Sequence, residues 1–265
     1  MANTRSEDAG ALHTRASLNE TRGNLDLGQH LRSQLALKPT SRLLDLGCGT
    51  GHLLRAYCRD LGVGGCCWAL DLSRDSLNEL ERTLVPQFPM IRPLVLSMDR
   101  LVDPACQPEL RELTHLVSAY SLYYSEDPDA LLDALHSRLA PGGLLLVAGP
   151  CKGNNREWFQ LLESAGLEIP ERIRRITEEF MDRRLPIAGR KLFATVEEHR
   201  LSNPVVIGDA DSLQAYWRSN IYHDPDRDAQ VCRCIREHFR SNSDFTITKR
   251  ISVIRMIKSQ GEPDG

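Results

Sequence analysis

The 265-residue chain has eight cysteines but no Cys-x-x-Cys pair. Cys66 and Cys67 are adjacent, and Cys232 and Cys234 stand one residue apart, so the spacing that makes a zinc site is missing. No metal is expected, and Cys66 and Cys67, set in an apolar run, suit small core residues kept as free thiols in a reducing compartment. Long hydrophobic runs are missing too. Nothing approaches the roughly 18 consecutive apolar residues of a membrane-spanning helix, and the opening Met-Ala-Asn-Thr-Arg-Ser lacks the apolar stretch of a secretory signal. A soluble, cytoplasmic protein with no membrane partner is expected. Charge of one sign is not in excess: 33 Lys and Arg face 36 Asp and Glu, a net charge of -3. That balance argues against a broad polyanion-binding face and against nucleic acid as a partner. Aromatics make up only 6% of the chain, and there is no internal repeat or low-complexity tract.

What is there begins at residues 42–51, Arg-Leu-Leu-Asp-Leu-Gly-Cys-Gly-Thr-Gly. Leu43, Leu44 and Leu46 form a short apolar run interrupted by one acid, Asp45, and lead into three glycines at alternate positions. Such a run fits a buried parallel strand, and the glycines fit a turn where a ligand lies against bare backbone. The following residues 52–61 read as a helix. Strand, glycine turn and helix together are where open α/β sheets bind nucleotides.

The pattern repeats downstream. Strands are expected at 65–70, 93–97, 115–120 and 144–148, with helices at 74–84, 108–112 (short) and 128–139, and a helix at 25–37 ahead of the first strand. Alternating strands and helices imply a doubly wound parallel sheet. Beyond Pro150 come helices at 155–165 and 171–183, strand-like stretches at 191–201 and 203–207, helices at 211–220 and 228–240, and a β-branched final run at 244–257. Residues 1–40 read as an arm (1–23) and a helix, residues 41–257 as the main domain, and 258–265 as a tail.

The segment Asp45-Leu46-Gly47-Cys48-Gly49-Thr50-Gly51 resembles the first motif of the class I S-adenosylmethionine-dependent methyltransferases. Its glycine spacing is not the Gly-x-Gly-x-x-Gly of a dinucleotide site, so an NAD enzyme fits poorly. The resemblance covers about residues 40–150. It implies an α/β, doubly wound, Rossmann-like, seven-stranded and mostly parallel sheet with an antiparallel last strand. Helices 211–220 and 228–240 exceed what that sheet needs, which suggests a helical cap at about 202–242 over the cofactor. The resemblance also implies S-adenosyl-L-methionine as methyl donor and S-adenosyl-L-homocysteine as product.

Residue roles follow from the match. Asp45 organises the turn near the amino-acid end of the cofactor, with Gly47, Cys48, Gly49 and Gly51 as bare backbone around it. Asp71 ends the second strand, 20 residues after Gly51, where a carboxylate can accept both ribose hydroxyls; Leu72 follows it. A strand-end Asp can also cap the next helix, but Ser73 is the better cap. Met98 and Asp99 fall where the family packs an apolar side chain on adenine and accepts from its amino group, although Met98 also suits a core. Ala119 and Tyr120 lie where backbone passes under the sulfonium.

Many small-molecule members carry Leu-His-His before an Asp-Pro. This chain has Leu122-Tyr123-Tyr124 before Asp127-Pro128. Tyrosine, with an ordinary pKa near 10, is a poor base at neutral pH. Tyr124 nevertheless remains a candidate for proton transfer. In 216–224 the residues Tyr216, Trp217, Arg218, Tyr222 and His223 gather aromatics, a cation and a histidine. That set suits a small acceptor, with Tyr216 and His223 as catalytic candidates and Trp217, Arg218 and Tyr222 as its walls and anchor; it equally suits docking of helices. Lys152 and Arg156 follow the fifth strand and suit a carboxylate or phosphate, while Asn154 or Asn155 could cap the helix there.

The expected activity is methyl transfer to the oxygen, nitrogen or carbon of a small molecule. An RNA methyltransferase and a non-catalytic S-adenosylmethionine-binding protein are the alternatives, and a homodimer is left open.

Overall fold

A computed structural model describes residues 22–261. The expected arm therefore lies outside the described residues except for Arg22 and Gly23, as does the tail from 262 onward.

Seven strands form one sheet in the order β3-β2-β1-β4-β5-β7-β6. They are β1 (Arg42–Leu46), β2 (Cys66–Asp71), β3 (Ile91–Val95), β4 (Leu113–Ala119), β5 (Leu139–Pro150), β6 (Thr195–Ile207) and β7 (Phe245–Ile257). β1 runs parallel to β2 and β4, β2 to β3, and β4 to β5. β7 is antiparallel to β5: Lys258 N–H meets the Gly143 carbonyl, and Cys151 N–H meets the Arg250 carbonyl. Strand order reverses between β1 and β4, the switch point where open α/β sheets take ligands.

The chain divides into two compact units. The larger holds Asp26–Gly149, Met181–His199 and the chain from Ser252 onward. Its core is the buried leucine, cysteine and valine rows of β1, β2, β4 and β5, among them Leu43, Leu44, Cys67, Leu116 and Leu146. Around them lie α1 (Leu27–Leu35), α2 (Leu54–Tyr57), α3 (Arg74–Thr83) and α4 (Pro128–Arg138). Strands covered on both faces read as unbroken apolar runs, which is why the short β1 needs no alternation.

The smaller unit holds Pro150–Phe180 and Arg200–Ile251, together with the described residues up to Leu25. It has its own core, in which Trp158, Leu213, Trp217, Ile235 and Ile247 are fully buried. These come from α5 (Arg156–Ser164), α8 (Ala210–Ser219), α9 (Asp228–Ser241) and β7.

Several expected boundaries move. β3 starts and ends two residues earlier than expected, with Pro93 inside it; an edge strand tolerates proline because one face of its ladder is unpaired. The expected helix at 108–112 is irregular, and a 3-10 helix forms instead at Met98–Val102. The cause is Arg138, which is buried. Its guanidinium donates to the carbonyls of Leu101, Asp103, Cys106, Gln107 and Leu110, so the loop's acceptors are satisfied without a helical ladder. Beyond 170 the helix is longer than expected. α6 (Glu171–Arg175) continues as a π-helical stretch, Ile176–Arg184, and then as α7 (Leu185–Leu192). Lys191 is thus helical, and the two strand-like stretches at 191–201 and 203–207 become the single β6.

Candidate functional site

At the end of β1 the chain turns through three left-handed glycines, Gly47 (φ 69°), Gly49 (φ 55°) and Gly51 (φ 78°). A side chain at Gly47 would collide with Ser121 Cβ at 2.3 Å, and one at Gly51 with Leu84 Cδ1 at 2.3 Å. The turn is tied to β2: the amides of Gly47 and Cys48 both donate to the Leu70 carbonyl, at 2.7 and 3.0 Å. It is tied to β4 as well, since Ser121 Oγ donates to the Leu46 carbonyl and contacts Ser118 Oγ.

Asp71, at the end of β2, closes onto this turn. Its Oδ2 accepts from Gly49 N–H at 2.7 Å and its Oδ1 from Ser73 N–H at 2.8 Å. Ser73, not Asp71, caps α3 through Ser76 N–H. A carboxylate offers about four lone-pair sites, so two backbone donors leave room for a hydroxyl-bearing ligand. Leu72 beside it is 58% exposed, an apolar side chain without cover next to a polar acceptor. Met98 Cε comes within 3.8 Å of where a Gly47 Cβ would stand. Asp99 accepts from Ser125 Oγ at 2.5 Å and from Glu126 N–H at 3.3 Å, which ties the start of the 3-10 helix to the segment after β4.

Asp45 is 3% exposed and accepts from the Tyr57 hydroxyl at 2.6 Å. Burial pushes its carboxyl up to about 7; the Tyr57 donor opposes that and the charge of Asp71 adds to it. Burial, with Asp45 and Asp71 nearby, pushes the Cys48 thiol up as well, so it stays protonated. At the end of β4, Ala119 is half-buried and Tyr120 holds a left-handed φ of 59°, a strained conformation for a side chain of that size. Tyr124 closes a 3-10 turn through Ser121, with its ring 4.7 Å from that of Tyr123.

The cofactor residues expected from sequence on β1, β2 and β4 and after β3 therefore gather at the carboxyl ends of these strands. Their chemistry fits an adenosyl group: bare backbone, a carboxylate with spare acceptor capacity and an uncovered apolar side chain.

In the smaller unit the expected acceptor residues are differently employed. Trp217, expected as a wall, is fully buried in the core. Tyr216 is buried against Trp158, ring centres 5.4 Å apart, and its hydroxyl accepts from Lys249 Nζ at 2.7 Å. The Arg218 guanidinium, expected to meet an anionic ligand, is forked onto Asp228 at 3.0 and 3.1 Å. His223, expected as a proton acceptor, has an 8% exposed side chain. Its Nε2 meets Asp228 Oδ1 at 3.1 Å and its ring packs on Trp217. Tyr222 accepts from the Trp158 indole at 3.0 Å. Asp228, which sequence reading missed, takes Arg218 and His223, and Lys249, also missed, takes Tyr216, while Trp217 packs in the core and Tyr222 on Trp158.

Lys152 and Arg156 stand exposed after β5. Neither neighbouring asparagine caps α5 with its side chain: Asn155 Oδ1 accepts from Lys249 Nζ and Asn154 Oδ1 from Arg250 N–H. Tyr57, whose hydroxyl meets Asp45, also went unread.

The sheet order and the turn at its switch point define a nucleotide-binding α/β protein. The model of a methyltransferase domain matches residues 13–191. The chain belongs to the class I S-adenosylmethionine-dependent methyltransferase family. It is 33% identical over 127 residues to the biotin biosynthesis bifunctional protein BioCD of Bordetella avium, covering 48% of this chain and 25% of that one. It is 28% identical over 112 residues to the ubiquinone/menaquinone biosynthesis C-methyltransferase UbiE of Bordetella parapertussis, 42% of each. The chain thus spans from a quarter to about two fifths of the length of these curated relatives. Among solved structures, a putative methyltransferase from Bacillus halodurans superposes with a TM-score of 0.61 at 14% identity, over 88% of this chain and 99% of that one. Among the described residues no helix is long and apolar enough to cross a membrane.

Proposed function

We propose that this chain is a cytoplasmic enzyme that transfers a methyl group from S-adenosyl-L-methionine to the oxygen, nitrogen or carbon of a small molecule by in-line displacement. The observation that carries the reading is Asp71 closed onto the left-handed glycine turn, with Leu72 uncovered beside it. When bound, the cofactor supplies a methyl carbon already activated by the sulfonium charge. The protein's share is to bind, orient and exclude water. In this reading Asp71 accepts the ribose hydroxyls, Leu72 and Met98 flank the adenine, Asp99 accepts from its amino group, and the bare backbone of Gly47, Cys48, Gly49, Gly51 and Ala119 lines the amino-acid end.

Acceptor recognition is assigned to Tyr120 and to Lys152 and Arg156, which suit an anionic group, with residues 202–242 as the specificity segment. Tyr222 remains as a half-buried aromatic there. Tyr124, at the end of the 3-10 turn after β4, is the candidate for proton transfer in the larger unit, while His223 meets Asp228 and Tyr216 meets Lys249. A dedicated base is optional when the nucleophile is acidic enough.

Calorimetric titration with S-adenosylhomocysteine and, separately, NAD tests the cofactor, and a methyl-transfer screen with labelled donor against metabolite pools and tRNA tests the acceptor. Binding of NAD alone would end the reading. Labelling of tRNA alone would move the acceptor to RNA.

A further inference from the structure

A cavity of about 430 Å³ opens within the smaller unit, between the loop that follows α5 and the turn that follows α8. That volume falls in the range of small-molecule sites, roughly 300–1,000 Å³. α5 stops at Gly166, left-handed at φ 71°, whose amide returns to the Glu163 carbonyl while Leu167 N–H returns to Leu162. The chain thus folds back on the last turn of the helix, and Leu162, fully buried, and Ile169, 5% exposed, become apolar walls of the cavity. Tyr222, two residues beyond the cap of α8, is an aromatic wall. Its hydroxyl accepts from the Trp158 indole at 3.0 Å and its ring lies 6.1 Å from that of Phe159, so the wall is fixed by the protein itself.

Three charged side chains share the lining: Glu168 from the loop after α5, and Asp224 and Arg227 from the 3-10 turn Pro225–Arg227 and its cap. Among the described residues none of the three is ion-paired with a protein side chain. Other arginines of the same unit do hold acids: Arg174 meets Glu163 and Arg218 meets Asp228. Asp224 Oδ1 accepts from Asp226 N–H at 2.9 Å, and Arg227 Nη1 meets Gln230 Oε1 at 3.3 Å, both neutral groups. Two carboxylates and one guanidinium around apolar walls match a ligand that carries an ammonium and a carboxylate on an apolar body. A simple anion would meet two like charges there, and a simple cation one. We propose that this cavity binds an apolar or aromatic α-amino acid. Its body lies against Leu162, Ile169 and Tyr222, its ammonium faces Glu168 and Asp224, and its carboxylate takes the planar fork of Arg227. The proposal concerns the smaller unit alone and goes beyond the methyl-donor reading.

L-phenylalanine, 2-phenylethylamine and 3-phenylpropionate share a ring and differ in charge. Each is titrated into the full chain and followed by amide NMR. L-phenylalanine should bind more tightly than either analogue by about three- to tenfold, with shifts concentrated in 162–170 and 222–227. Glu168→Gln should weaken L-phenylalanine and 2-phenylethylamine by a similar factor and spare 3-phenylpropionate. Arg227→Gln should weaken L-phenylalanine and 3-phenylpropionate and spare 2-phenylethylamine. Both side chains are exposed, so both variants should keep the fold, which a thermal melt checks. Leu167→Trp, which fills the cavity, should abolish L-phenylalanine binding. No binding of L-phenylalanine, equal or tighter binding of an analogue, or shifts confined to other segments overturns the proposal. S-adenosylhomocysteine binding, measured on the same samples, reports on the methyl-donor reading separately.

Discussion

Gly49 donates its amide hydrogen to Asp71 Oδ2 at 2.7 Å, so the acid ending β2 is fastened to the middle of the turn ending β1, 22 residues earlier. Asp71→Ala removes the acceptor of both Gly49 and Ser73 and the proposed ribose partner. S-adenosylhomocysteine affinity should fall by roughly 1–3 kcal/mol, the cost of an unpaired polar group. Calorimetry on the variant checks this, and an unchanged affinity would remove the role given to Asp71.

Gly51 combines a φ of 78° with leucines packed against its α-hydrogen. Gly51→Ala would press a methyl group onto Leu84 at 2.3 Å and Leu80 at 3.0 Å while forcing a left-handed alanine. A loss of about 2–4 kcal/mol in urea-melt stability is expected. Gly64→Ala, whose added carbon meets only Thr40 Cγ2 at 3.2 Å, should cost far less.

The raised Asp45 carboxyl makes stability depend on pH in a defined direction. In the unfolded chain Asp45 ionises near 4, and in the folded protein at about 7. Below pH 4 both states hold the proton and nothing is lost. Between 4 and 7 the unfolded state gives it up first, so stability falls as pH rises, and above 7 the loss is constant. The full loss is up to about 4 kcal/mol. Asp45→Asn should flatten this part of the stability curve in denaturant melts at pH 5, 6, 7 and 8.

Lys249 is 8% exposed, and its ammonium is held by Asn155 Oδ1 at 2.8 Å, by Tyr216 Oη at 2.7 Å and over the Tyr216 ring. A buried cation held by neutral groups is a coupled unit. A double-mutant cycle of Lys249→Met and Tyr216→Phe should show at least about 0.5 kcal/mol of interaction. Strict additivity would mean the contact contributes nothing.

The five strands from β1 to β5 and the glycine turn were legible because burial on both faces writes itself as unbroken apolar runs and a tight turn demands glycine. The loop at 101–110 was not. Its shape is dictated by Arg138, a residue 28–37 positions away in sequence, and no local pattern announces a distant guanidinium. The acceptor side failed for a related reason. Arg218 and His223 look like free functional groups in the sequence, but Asp228 lies on the next helix and takes both. Tyr57 was missed because one polar atom on an apolar helix face reads as packing until its carboxylate partner is in view.

Arg138→Lys should expose that dependence. Lysine has three donors against the five carbonyls the guanidinium serves, and a rounder charge. A loss of about 2–4 kcal/mol is expected, with faster proteolytic cleavage within 101–110 than at the termini of α4.

Pro93 lies in β3, the last strand on its side of the sheet, in register with Ala69 of β2. Having no N–H, it interrupts the row of donors that an incoming strand would need. A strand added at this border would therefore lack one ladder hydrogen bond at Pro93, which weakens backbone pairing there.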